Sequence, residues 1–306
     1  MSSEPFKPLL DRDLAKVSGQ PIIEIAGPLL RELVNHATAA WRRCQVAATG
    51  GENEDLAALI LYRQAIEMVD GVEVLIRDAC SISTIPLLRS AFEAALSLEF
   101  ILVDDSKYLE RSLSWFCAHI HRRIAWLEQM DPATTKGAEF KKAWEDSFGV
   151  WNPSVPTAPS VASQRAILVS PQLQPIEAEY QSQKKKNPNW YSLFGGPNDF
   201  RALTEDLNRA AEYDTLYRSW STVVHANDPL SFMRADDGGA PHFTSIRFPD
   251  NLAKYAFFGA TLLIRNTRMM LGKFRSGEDI KRWYLQDVRE MYNALGQLKV
   301  EVSPIP

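Results

Sequence analysis

The sequence predicts an all-α protein, a multi-helix bundle with a proline-rich excursion in mid-chain and room for one small β-hairpin near 230–248. Three observations carry this. Apolar residues recur at three- and four-residue spacing along most of the chain, the pattern of helices with one buried face. The composition, 45% hydrophobic and 24% charged over 306 residues, is that of a globular chain able to bury a large core. Prolines crowd into one stretch, with Pro153, Pro156, Pro159, Pro171 and Pro175 between 149 and 175, where they interrupt the periodicity.

Taken in order, residues 1–20, with Pro5 and Pro8, read as an N-terminal arm, and 21–300 as a single helical domain with an irregular insertion at about 149–175. A first helix runs from Pro21 or Pro28 to about Ala48, through Leu29, Leu30, Leu33, Val34, Ala37, Ala40 and Trp41, and stops at Gly50-Gly51. Glu52 or Asn53 opens a second, which carries Leu56, Leu59, Ile60, Ala65, Ile66, Val69, Val72 and Leu75 towards Cys80. Ser83-Thr84-Ile85-Pro86 signals the entry to a third, Leu87 to Leu102, with proline in the tolerated first turn. It is apolar nearly all round, which places it at the centre of the bundle. A fourth follows Asp104-Asp105-Ser106 and ends at Asp131-Pro132.

Beyond the proline-rich crossing, a polar helix spans about Gln174–Lys186. Trp190 to Asn198 forms a turn around Gly195-Gly196-Pro197, and a helix begins at about Asp199. The next helix carries Tyr213, Tyr217, Arg218, Ser221 and His225. Residues 228–250 are loop with the hairpin, and two helices, about Asp250–Phe274 and Gly277–Leu298, follow.

The bulk properties exclude several classes. Eight Trp, nine Tyr and fourteen Phe argue against disorder. A net charge of -4 gives no global attraction to nucleic acid, so RNA binding would need a local basic patch. Cys44, Cys80 and Cys117 have no metal-type spacing and read as reduced cytoplasmic thiols. The first residues lack the basic start and apolar core of a signal peptide. Two apolar stretches, 85–103 and 255–271, contain Arg89, Glu93 and Glu99, and Arg265 and Arg268. Each mid-span charge would cost about 2.5–3.5 kcal/mol in a bilayer, so neither reads as a membrane span.

Two constellations stand out. Arg89 and Glu93 are one helical turn apart, flanked by Phe92, Leu96 and Phe100. They are either a structural ion pair or one wall of a polar cavity, since a desolvated pair needs further hydrogen bonds. Tyr213, Tyr217, Ser221 and His225 recur every four residues, with Arg218 beside them and Asn227 just beyond. Here Arg218, Ser221 and His225 would share one helix face. The stripe is either a set of core aromatics with satisfied polar ends, or a site in which His225 moves a proton and Arg218 stabilises an anion. Arg89, Glu93, Tyr217, Ser221 and Asn227 are then the candidate binding residues, and Arg218 and His225 the candidate catalytic ones. His119 and His121 point about 200° apart on one helix and cannot share a metal. No metal-ligand spacing and no cofactor motif is found, and the glycine pair 195–196 reads as a tight turn.

The Leu87-Leu-Arg-Ser-Ala-Phe-Glu93 helix, Trp190-Tyr191 and the Tyr213…Tyr217…Ser221…His225 helix resemble a bacterial domain-of-unknown-function family, number 5677, over roughly residues 55–270. That resemblance implies an all-helical fold and no established activity. The Arg218-to-His225 spacing also resembles the motif of the HEPN superfamily, whose metal-independent ribonucleases carry Arg, four to six residues, then His. Ser219 departs from the Asn, Asp or His often found after the Arg. This second resemblance implies RNA cleavage in a toxin or phage-defence setting and homodimerisation, with two motifs meeting across the dimer. The alternative is a non-enzymatic module holding a partner or small anionic ligand in a polar core pocket.

Overall fold

The computed structural model describes residues 10, 12–48, 54–151, 157–184, 187–224, 233–235, 239, 241–243, 246–247, 249–278 and 280–298. Among the described residues the regular structure is helical apart from one short hairpin, as the periodicity predicts. The chain divides into two compact units. One comprises residues 1–49, 58–102 and 207–306, the other 50–57 and 103–206.

In the first unit, α1 (Arg12–Ala47) is a 36-residue helix with Pro21 and Pro28 inside it. The expected arm over 1–20 is corrected here, because residues 12–20 are already helical. Each proline removes one backbone donor, but burial of Ala15, Ile22, Ala26, Leu29, Leu30, Leu33, Ala37, Ala40 and Cys44 on one face carries the helix through both. Gly19 permits close packing at that end, since a Cβ there would lie 3.1 Å from Leu252 Cδ1. α2 (Leu56–Arg77) buries Leu61, Tyr62, Ala65, Val69, Val72 and Ile76. The expected openers Glu52 and Asn53, and the stop Gly50-Gly51, lie outside the described residues.

α3 (Ile85–Leu102) is central, with Leu88, Ala91, Phe92, Leu96, Leu98 and Ile101 all fully buried. It packs against the long α11 (Leu252–Phe274), which also packs along α1. Tyr62 of α2 ties into the same core through a 2.7 Å hydrogen bond between its hydroxyl and that of Thr267. After α11 come α12 (Ile280–Trp283), a π turn (Tyr284–Val288) and α13 (Arg289–Gln297). The hairpin pairs β1 (Met233–Ala235) with β2 (Pro241–Phe243), antiparallel, Met233 opposite Phe243.

The second unit is organised on α4 (Tyr108–Met130). Asp104 caps the short 3-10 turn Asp105–Lys107 that leads into it, accepting from the Ser106 N–H at 3.0 Å. Around α4 pack α5 (Thr135–Phe148), α6 (Thr157–Leu168), α7 (Gln174–Ser182) and the turn Trp190–Gly195. Neither α5 nor α6 is among the elements read from the sequence, and α6 lies inside the stretch 149–175 expected to be irregular. The reason is positional: Pro159 sits in the first turn of α6, where its missing N–H would have no helical partner anyway. Thr134 starts α5 by accepting from the Gly137 N–H at 3.0 Å. α8 (Phe200–Asp206) follows the turn at Gly196, where a Cβ would collide with the Tyr191 carbonyl at 2.1 Å.

Candidate functional site

The described part of the sequence stripe, 213–224, together with the turn before it, is not one regular helix. It comprises α9 (Ala210–Glu212), a π turn (Tyr213–Tyr217) and α10 (Arg218–Val224). Wide turns of this kind recur at functional sites. Trp220, 2% exposed, fixes the inward face of α10 by packing edge-on to Phe258 at 5.0 Å. Tyr217 and Ser221 flank it and face α3, which packs against α10.

There the two sequence constellations meet. The Arg89 guanidinium donates from Nη2 to the Tyr217 hydroxyl at 3.0 Å, from Nη1 to Ser221 Oγ at 3.3 Å and from Nε to Glu93 Oε1 at 3.2 Å. The Tyr217 hydroxyl donates in turn to the same Glu93 oxygen at 2.6 Å. The guanidinium carbon lies 4.7 Å from the centre of the Tyr217 ring, within cation–π range. Tyr213 stacks on Tyr217 at 5.2 Å, and Phe92 closes the other side at 5.9 Å. The Arg89 side chain is 19% exposed and that of Glu93 46%.

Burial, then the Glu93 carboxylate it donates to, pushes the Tyr217 phenol up to about 12. Burial works against the charge of Arg89, but its hydrogen bonds to Tyr217 and Glu93 outweigh that and hold it above its ordinary value. The cluster is therefore a cation and a neutral phenol gathered on one carboxylate oxygen, with the Ser221 hydroxyl accepting from the same guanidinium.

Arg218 and Ser221, three residues apart, lie about 60° from each other round α10. Arg218 precedes the inward Trp220 by two residues, about 160° round a helix, and it is exposed. It stands on the solvent side of α10 while Ser221 reaches Arg89. His225 and Asn227 lie outside the described residues.

The site has a neighbour that the sequence reading missed. Glu99 of α3, 9% exposed, meets Arg209 Nη2 at 3.1 Å and Arg265 Nη1 at 3.9 Å. Glu212 completes the group, 3.3 Å from Arg209 Nη1 and 3.6 Å from Arg265 Nη2. Two cations and two anions thus clamp the start of the π turn onto α3 and α11. Arg209 and Glu212, three apart, carry the local signal; their partners on other helices carry none.

The profile of a family of unknown function, DUF5677, matches residues 55–240. The chain belongs to this family. No curated protein and no solved structure gives a match. The DUF5677 match takes in Arg89, Glu93, Tyr217 and Ser221, so the whole cluster lies within the family's span. Among the described residues, no helix is long and apolar enough to cross a membrane.

The DUF5677 span also holds a second group, in the other unit. His121 Nε2 of α4 lies 2.6 Å from Glu177 Oε2 of α7, and the Cys117 thiol donates to the same oxygen at 3.5 Å. Cys117 is fully buried, and burial, then Glu177, pushes its thiol well above the ordinary range. His119 points elsewhere and stacks on Trp115 at 5.5 Å, as the helical angle between the two histidines requires. Cys117 and His121 are one turn apart, a readable signal, but Glu177 arrives from a separate helix and the sequence reading passed the group over.

Proposed function

We propose that the Arg89–Glu93–Tyr217–Ser221 cluster is a binding site for a small anionic group, phosphate or carboxylate, and that the protein acts as a binding module through it. One observation carries this reading: Arg89 Nε and the Tyr217 hydroxyl both donate to a single oxygen of Glu93. The cluster is built to cradle an oxyanion, and a half-exposed glutamate of the chain itself occupies the cradle. A ligand anion would displace Glu93 towards water and take over charge-assisted hydrogen bonds, which are about twice as strong as neutral ones.

Titration calorimetry with inorganic phosphate, a nucleoside monophosphate and a short oligoribonucleotide tests this. Glu93→Gln removes the competing charge and should bind at least tenfold more tightly than the parent, while Arg89→Met should bind more weakly. No gain in Glu93→Gln and no loss in Arg89→Met would overturn the proposal.

A second reading is favoured by the exposure of Arg218. A cation on the solvent side of α10 is placed as a phosphate-contacting group must be, which suits metal-independent RNA cleavage by Arg218 with His225 as acid or base. In that reading two chains pair their motifs, so the protein would run as a dimer. RNA cleavage abolished by His225→Ala in a folded protein supports it; cleavage that persists in that variant overturns it.

A further inference from the structure

We infer that Cys117, His121 and Glu177 form a divalent transition-metal site, suited to zinc, with a thiolate, an imidazole and a carboxylate as protein ligands and water completing the shell. The three donor atoms lie within 4.8 Å of one another. Their chemistry is that of a mixed S, N, O zinc site, for which tetrahedral coordination is the rule. Separate elements fix each donor. Cys117 and His121 are one turn apart on α4, and Glu177 comes across from α7.

The geometry is close to what coordination needs. Ligand bonds of about 2.3 Å to sulfur and 2.0–2.2 Å to oxygen place S and O about 3.6 Å apart in a tetrahedral site. Cys117 Sγ and Glu177 Oε2 are 3.5 Å apart. The His121–Glu177 distance of 2.6 Å is a hydrogen-bond distance and must open by roughly 0.7 Å to admit an ion, which rotation of the carboxylate supplies. In the metal-free arrangement two donors converge on one carboxylate oxygen, so protons stand where the ion would sit.

The outer surroundings are those of a held site. The His121 ring stacks on Tyr180 at 4.2 Å, with the two planes 1° apart, which sets its direction. The other Glu177 oxygen accepts from the Gln181 side-chain amide at 2.8 Å. Such second partners orient metal ligands and tune their basicity. Cys117 is closed to solvent, but the side chains of His121 and Glu177 keep 17% and 22% of their exposure, and they are the entry route. Binding exchanges the thiol proton for the metal, and the imidazole carries its N–H on Nδ1 once Nε2 coordinates; the thiol proton leaves to solvent.

Cobalt(II) titration of the full chain under reducing conditions tests this directly, because a Co–thiolate bond gives a near-ultraviolet charge-transfer band. The expected result is one cobalt per chain, a band abolished in Cys117→Ser and bleached by added zinc, and affinity at least tenfold weaker in His121→Ala and in Glu177→Gln. Cys80→Ser and Cys44→Ser should keep the band. Circular dichroism of each variant separates lost ligation from lost folding, and Glu177→Gln, which keeps the size of the side chain, serves where Cys117→Ser unfolds. Absence of the band at saturating cobalt overturns the inference, as does a band that survives both Cys117→Ser and Glu177→Gln.

Discussion

The four-charge group at Glu99 gives the sharpest quantitative test of how the π turn is held. Glu99→Leu keeps the volume and removes one anion, leaving Arg209 and Arg265 to share Glu212. Breaking a fully buried ion pair from one side costs about 3–5 kcal/mol. Glu99 is buried, but the side chains of Arg209 and Arg265 are 20% and 24% exposed, so water recovers part of that and about 2–3 kcal/mol remains. At about 2–4 °C per kcal/mol for a chain of this size, the melting temperature should fall by roughly 5–10 °C. The double variant Glu99→Leu with Arg209→Leu removes one charge of each sign and leaves the Arg265–Glu212 pair, so it should lie within about 1 kcal/mol of the parent. Urea unfolding of the parent, both singles and the double gives the coupling directly, provided the slope with denaturant is unchanged. A Glu99→Leu protein within about 0.5 kcal/mol of the parent, or a double variant no better than the single, would refute the clamp.

Two further predictions concern phenols. Tyr62→Phe removes a fully buried hydroxyl and leaves that of Thr267 without its partner, so unfolding in urea should show a loss of about 1–2 kcal/mol; a neutral substitution would mean that the bond contributes nothing. Tyr217, at about 12 when folded against an ordinary 10, keeps its proton in the folded state where the unfolded chain gives it up. The unfolded state then binds fewer protons, so this contribution is fully present below pH 10 and is lost as pH rises towards 12. Tyr217→Phe should flatten the stability profile across that window, and an unaltered alkaline slope would show that the phenol is not held as described.

Much of the fold was legible because burial writes itself into sequence at helical period. α3 shows this best: it is apolar nearly all round and sits at the centre, and its Arg89–Glu93 pair stands out from that surface as either an ion pair or one wall of a polar cavity. What failed did so for local reasons. Pro21 and Pro28 read as helix starts, but the helix runs through them because its buried face outweighs two lost backbone donors. Pro159 read as a loop residue, yet the first turn of a helix accepts it. The spacing of Arg218 and Ser221 could not say which way their helix turns, because Trp220 sets the rotation. Glu177 and Glu99 could not have been paired with their partners from sequence, since the distance between helices has no signature within either.

The π turn at Tyr213–Tyr217 makes the cluster depend on chain length as well as on residue identity. A wide turn of this kind is an α-helix with one residue inserted, so deleting a single residue within it, such as Thr215, should regularise the helix while the flanking segments keep their places. The clamp at Arg209 and Glu212 and the anchor at Trp220 would then survive, and the spacing between them that delivers Tyr217 to Arg89 would not. When related chains are compared, a one-residue gap at this point marks a change in the site even where every side chain on either side is the same.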